Sequence, residues 1–245
     1  MGFKMMDVNE FKDYIKGLNV TRKIKLIQLH HTYSPNYSHF NGKNHEKVQK
    51  GMRDYHVNSC GYSDIAQTFT IFPDGKILTG RDINVAPAGI RGANTNGICI
   101  ECVGYFDEGN DVMTDPQKNS IIGAVKILLD KFGLTAEENV TYHAWWSSSE
   151  KNLGTYIKGK SIKTCPGTAF FGGNTREAYE KNLMPLIKAY KSETLKPVES
   201  INDIIWELAN AGIATASGYW MKRCEEDTNI YWLCRKMANK LRGTL

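Results

Sequence analysis

The chain has 245 residues, 41% of them hydrophobic and 23% charged, which suits a soluble globular protein with one large domain and room for a smaller one. Net charge is +5, but the lysines and arginines are scattered among acids. With no basic run carrying interleaved aromatics, a nucleic-acid partner is not expected. No apolar stretch reaches the roughly 18 residues of a membrane span.

The segment from Met1 to Leu18 is amphipathic and carries Asp7, Glu10 and Asp13. It lacks the continuous apolar core of a signal peptide. The expectation is synthesis in the cytoplasm, with any export by another route. Asp7 is a candidate N-cap for a first helix bearing Phe11, Tyr14, Ile15 and Leu18 at helical spacing. Ile24 to His30 is a short apolar run, read as a strand ending in His30-His31-Thr32. Val48, Met52, Tyr55 and His56 suggest a second helix. Phe69 to Phe72, the turn Pro73-Asp74-Gly75-Lys76 and Ile77 to Thr79 predict a β-hairpin. Gly97 to Gly104, nearly all apolar, predicts a strand buried on both faces. Thr114-Asp115-Pro116 opens a strong helix striped by Ile121, Ile122, Val125, Leu128, Leu129 and Phe132, with Gly133 ending it. Val140 to Tyr142 is a short strand before His143. Asn174 and Glu177 resemble a capping box for a last helix, which Pro185 should kink.

The sum is α/β, a mixed central sheet flanked by helices. A polar, proline-containing stretch at residues 192–199 marks a linker. The domains expected are then 1–191 and 200–245, the second all-helical, with stripes at Ile201, Ile204, Ile205 and Leu208 and at Ile230, Leu233, Cys234, Met237 and Leu241. Of six cysteines (60, 99, 102, 165, 224 and 234), most read as reduced, buried thiols. Cys99 and Cys102 in one strand point to opposite faces, the wrong arrangement for a metal hook.

Cys165 is different. It sits on the turn Lys163-Thr164-Cys165-Pro166-Gly167, where a cysteine has no packing role. Together with His30 and His143, each ending an apolar strand, it could give three ligands to one zinc ion. Three protein ligands leave a fourth vertex for water, the arrangement of a hydrolytic rather than a structural zinc site. Glu101 is the only acid in the apolar strand, and a carboxylate buried there without a purpose would be costly.

These pieces resemble, in order, the zinc-dependent N-acetylmuramoyl-L-alanine amidases of the second type, which share a fold with peptidoglycan recognition proteins and many phage endolysins. The likeness lies in Leu26 to Thr32, Tyr62 to Ile71 with Asp74-Gly75 and Gly80-Arg81, Asn96 to Gly104, Tyr142-His143 and Lys163 to Gly167. It implies zinc on His30, His143 and Cys165, Glu101 as the proton-transfer group and Lys163 as an oxyanion stabiliser. Where many relatives carry a catalytic tyrosine, this chain has Gln67. The segment between His143 and Cys165 is 21 residues long, longer than in several relatives, and its Trp145 and Trp146 could extend a groove wall. Gln67, Arg81, Arg91, Asn94 and Trp145 are candidate substrate contacts. The resemblance further implies peptidoglycan as partner, the amide between the lactyl group of N-acetylmuramic acid and L-alanine as target, and a phage or prophage endolysin released through a membrane hole made by another protein. A non-catalytic peptidoglycan-binding protein and a cytoplasmic muropeptide-recycling amidase are the alternatives. The C-terminal segment is similar to helical modules that target such enzymes to the wall or associate them with one another.

Overall fold

In the computed structural model of the chain, residues 2–191 are described, together with 205, 208, 217–227, 230, 231, 233–235 and 237. The chain divides into two compact units, Met1–Ser192 and Glu193–Leu245. The linker read at 192–199, and Ile201, Ile204, Trp206, Trp232 and Leu241, lie outside the described residues.

The first unit is built on a six-stranded mixed sheet. Its strands are β1 (Met5–Met6), β2 (Leu26–His31), β3 (Phe69–Ile71), β4 (Ile77–Thr79), β5 (Gly97–Cys102) and β6 (Val140–Tyr142). The spatial order is β1-β4-β3-β5-β2-β6. β5 pairs in parallel with both β2 and β3, and β2 pairs in parallel with β6. The β3–β4 hairpin and the β1–β4 edge are antiparallel. β5 is therefore central, as its nearly all-apolar run predicts.

Side chains alternate between the two faces of a strand, and here the alternation separates packing from chemistry. One face carries Ile27, Leu29, Ile98, Ile100, Phe69, Ile71, Val140 and Tyr142, all buried in the main core. Two helices cover it, α1 (Val8–Gly17) and α3 (Asp115–Phe132). The opposite face carries Gln28, His30, Thr68, Thr70 and Thr141, each buried despite its polarity.

Local sequence explains the covering helices. Asp7 caps α1 in a reciprocal capping box with Glu10. Thr114 Oγ1 caps α3, Pro116 lies in its first turn, and Gly133 closes it in the left-handed region at φ 65°. α2 (His45–Asn58) turns His45, Gln49 and Met52 inward. Tyr55, expected on its apolar stripe, is 62% exposed instead.

The last helix differs from the sequence reading. Its cap is Thr175, whose hydroxyl accepts from Ala178 N at 3.1 Å, not Asn174. The helix runs as α4 (Arg176–Ala178), a π-turn at Tyr179–Leu183 and α5 (Met184–Ala189). Pro185 has no N–H to continue an α-helical ladder, so the irregularity falls in the turn before it.

In the second unit, α6 (Ser217–Glu226) is described, and Ile205, Leu208, Cys224 and Cys234 are buried together. Ile230 and Met237 pack against them. Leu233, expected on the same stripe, is 57% exposed.

Candidate metal centre

Parallel pairing of β2 with β6 sets Leu29 opposite Tyr142. The next residues along, His30 and His143, therefore emerge at the same sheet edge. The turn bearing Cys165 is docked onto that edge by main-chain bonding, with Ala144 N donating to Cys165 O at 2.6 Å. Two further bonds shape the turn: Gly167 N donates to Thr164 O at 2.9 Å, and Asn174 Nδ2 to the same carbonyl at 2.7 Å. Gly167 has φ +121°, and a Cβ there would run into the Phe106 carbonyl. The glycine is thus required both by conformation and by close approach.

The three predicted donors meet. His143 Nδ1 lies 3.2 Å from His30 Nδ1, and Cys165 Sγ lies 3.6 Å from His30 Nδ1. All three donor atoms fall within 4.8 Å of one another. Zinc–nitrogen and zinc–sulfur bonds of ordinary length in a tetrahedron give edges of about 3.3 Å for N···N and about 3.6 Å for N···S. The observed separations match a common centre for one such ion.

Electrostatics suit the same use. Burial, then the charges of His143, Lys163 and His31, hold His30 well below the usual imidazole range. Burial, then Lys163 and His31, lowers His143 to about 4. Both rings are neutral at neutral pH, as metal ligation requires. Burial pushes the Cys165 thiol well up, and Glu101 adds to the shift, so a thiolate at this position needs a cation beside it. The geometry and the donor chemistry both fit zinc.

Glu101 stands opposite His30 in the β2–β5 register, with Oε1 3.9 Å from His30 Nδ1. Its other oxygen, Oε2, is buried with no hydrogen-bond partner among the described residues. Burial raises this carboxyl to about 8, against an opposing effect of Lys163. Lys163 is exposed, yet its charge acts on His30, His31, His143 and Glu101 together. His31 is fixed beside the cluster by Phe106 N, which donates to its Nδ1 at 3.1 Å, leaving the ring proton on Nε2. Cys99 shares the face of His30 and Glu101, with its sulfur within 4.8 Å of a donor atom of each. Cys102 points into the core.

The expected substrate contacts lie elsewhere. Gln67 is fully buried, its Nε2 donating to Thr70 Oγ1 at 2.9 Å. Arg81 spends its guanidinium on the carbonyls of Ile65, Ala86 and Asp64. Asn94 Oδ1 accepts from Gly89 N and Ile90 N within its own loop. Trp145 is a core residue, 1% exposed, with Nε1 donating to Asn174 O at 2.7 Å. Arg91 is exposed and pairs with Glu150 at 2.7 Å, tying its loop to the 144–162 segment. That segment folds on itself through bridges Trp146–Asn152 and Ser147–Ser161. Gln67, Arg81, Asn94 and Trp145 are thus internal ties and Arg91 an exposed one, and the groove-wall reading of Trp145 is corrected: its ring is enclosed by Tyr142 and Tyr179. Asn174 is the residue that sequence reasoning missed. Read as a cap, it instead clamps Trp145 and the Cys165 turn at once. A cleft of about 600 Å³, lined by residues including Phe106, Val112, Met113, Ile122 and Phe171, contains none of the three donors.

Fold and donor set together define a mixed-sheet protein with a three-ligand candidate metal centre. Residues 20–168, more than half of the chain, match the family described as N-acetylmuramoyl-L-alanine amidase, and the chain belongs to that family. It is 29% identical over 85 residues to Peptidoglycan-recognition protein 2 of Holotrichia diomphalia, covering 35% of this chain and 44% of that protein. It is 30% identical over 103 residues to Peptidoglycan-recognition protein LB of Drosophila melanogaster, covering 42% of this chain and 41% of that protein. The chain thus spans less than half the length of either relative. The structure of wild-type Drosophila PGRP-LB superposes with a TM-score of 0.51 at 20% identity, over 67% of this chain and 84% of that one. That likeness speaks for the fold.

The shifted groups predict a pH profile for metal-stripped protein. His31 and His143, both lowered to about 4, and His30, held well below the usual imidazole range by burial, bind fewer protons folded than unfolded. Their contribution is complete above about 6.5, the free imidazole value, and is lost as pH falls towards 4. Glu101, raised to about 8, acts oppositely: its contribution is present below its unfolded value and is lost as pH rises through 8. Three imidazoles outweigh one carboxyl at low pH, so urea unfolding of chelator-treated protein should find greatest stability near pH 6.5 and less at pH 5 and pH 8.5. A flat profile would contradict the burial of these groups.

Proposed function

We propose that the chain is a zinc-dependent amidase that hydrolyses the bond between the lactyl group of N-acetylmuramic acid and L-alanine in peptidoglycan, in the role of a phage or prophage endolysin. The observation that carries the reading is the convergence of the His30, His143 and Cys165 donor atoms within 4.8 Å of one another beside Glu101. Membership of the amidase family supports the choice of bond. A non-catalytic peptidoglycan binder is less well supported, because all three donor positions are filled by ligand-type residues. No helix among the described residues is long and apolar enough to cross a membrane; release by a separate protein is part of the same proposal. In this reading the second unit targets the enzyme to the wall.

His30 Nδ1, His143 Nδ1 and Cys165 Sγ would hold the zinc, three protein donors being the count of a catalytic site. When bound, zinc supplies a Lewis acid and acidifies a water towards neutrality. Glu101 is the proton-transfer group. A carboxyl poised near neutrality can accept a proton at its free oxygen and return it to the leaving amine of L-alanine. Where many relatives carry a tyrosine, Gln67 supports Thr70, the register partner of Glu101, so proton transfer falls to the carboxylate alone. Lys163, exposed beside the cluster, offers its ammonium to the charge that develops on the carbonyl oxygen.

Three substitutions test these roles on purified cell walls, with release of new L-alanine amino groups as the assay and metal content measured in parallel. Glu101→Gln should keep its zinc and lose about 10²-fold or more in turnover; wild-type turnover in that variant refutes the proton-transfer role. For Cys165→Ser the expected change is in zinc content, and an unaltered metal-to-protein ratio removes the thiol from the site. Lys163→Ala should lower kcat by about 10²-fold with a smaller change in KM. A defect confined to KM would make Lys163 a substrate contact only.

A further inference from the structure

Beside the donor cluster, two tyrosines form a feature that the proposed chemistry does not use. Tyr33 is 59% exposed, and its ring centroid lies 4.4 Å from that of Tyr105. Both rings neighbour His31, at 6.4 Å and 6.0 Å, and the His31 carbonyl is 3.9 Å from Cys165 Sγ. The pair therefore stands at the rim of the site.

Three observations distinguish this pair from incidental surface aromatics. Tyr33 has φ 60°, a left-handed conformation that is a genuine outlier for a bulky side chain and marks functional positions more often than others. The two loops that carry the rings are bonded to each other beyond the ends of β2 and β5. Thr32 N donates to Cys102 O and Tyr33 N to Gly104 O, each at 3.0 Å, and Gly104 N donates back to Thr32 Oγ1 at 3.0 Å. Asp111 then accepts from both Tyr105 N and Tyr37 N. The rings are thus preorganised on a rigid support while one of them is held out to solvent.

We propose that the exposed ring of Tyr33, buttressed by Tyr105 whose ring is tilted 58° against it, forms a stacking platform for an N-acetylated pyranose ring on the glycan side of the scissile bond. This rests on the amidase reading of the site. Aromatic faces carry negative potential and accept the weakly positive C–H face of a sugar, while the phenol hydroxyls can meet its hydroxyl groups. The two acids beside Tyr105 favour a neutral sugar there over an anionic stretch of stem peptide. Asp107 and Asp111 are anchored beside Tyr105 by backbone N–H donors, and their carboxylates repel a peptide that carries carboxylates of its own.

The test uses the full-length, zinc-loaded chain and titration calorimetry with two probes: a tetrasaccharide of N-acetylglucosamine, which carries no carboxylate, and a free stem pentapeptide. Tyr33→Gly removes the ring and suits the left-handed backbone, so it should not lower Tm. It should weaken tetrasaccharide binding about tenfold, leave pentapeptide binding unchanged, and raise KM on walls more than it lowers kcat. Tyr33→Phe should keep most of the affinity. Unchanged tetrasaccharide affinity in Tyr33→Gly, or a loss confined to the pentapeptide, overturns the platform. The titrations need no turnover. A wild-type chain that binds the tetrasaccharide but releases no amino groups would sink the amidase reading and leave the platform standing.

Discussion

The structure depends on one constraint: two imidazole nitrogens and a thiol sulfur are held within 4.8 Å of one another, away from water. Left alone, such a cluster is unfavourable, because buried polar atoms want partners. His30 Nε2 and Glu101 Oε2 lack them among the described residues. What enforces the arrangement is main-chain geometry. β2 and β6 run in parallel register, so His30 and His143 must leave the sheet together. The Cys165 turn is stitched to Ala144 through its own carbonyl, and Gly167 lets it approach Phe106 closely. Side-chain preference contributes little to this convergence; backbone hydrogen bonds dictate it.

The sheet makes this possible by separating its two faces. The face under α1 and α3 is apolar but for His31 at the end of β2 and supplies the stabilising burial. The other face can then carry buried polar groups, provided each finds a partner. Gln28 does so by donating to Ala93 O and accepting from Ile90 N. Thr141 Oγ1 accepts from Trp146 Nε1 at 2.9 Å. These bonds also fix the 89–97 loop and the start of the 144–162 segment. The walls around the donor cluster are thus positioned by the polar residues that share its face.

Much of this was legible in the sequence, for an identifiable reason. Strand β5 and helix α3 announce themselves through long apolar patterns, His30 and His143 stand at the ends of apolar strands, and the Thr-Cys-Pro-Gly turn, with the ordered likeness to a known family, nominates Cys165. Residues whose role depends on tertiary approach were not legible. Arg81, Asn94 and Trp145 are residue types that serve equally as surface binders or as internal ties, and composition does not separate the two. Only the carbonyls of Ile65, Ala86 and Asp64 around Arg81, and that of Asn174 beside Trp145, decide the matter. Asn174 was misassigned because a cap and a clamp use the same amide. The two-residue strand β1 is too short to leave any periodic signal. The left-handed backbone at Tyr33 has no signature in its residue type, since tyrosine ordinarily avoids that region.

The directions of the shifted groups carry a last argument about what the site is for. Burial pushes the three histidines towards neutral imidazole, Cys165 towards neutral thiol and Glu101 towards neutral acid. Each group is driven to its uncharged form. A purely structural cluster would rest there, and apolar side chains of similar volume would serve as well or better. The polar set has physical sense only if something restores charge to it. One divalent cation does so at a stroke, because it stabilises a thiolate at Cys165, favours neutral lone-pair donors at His30 and His143, and draws the Glu101 carboxyl back towards ionisation. The same burial that makes the side chains reluctant to ionise therefore makes the cluster selective for a cation.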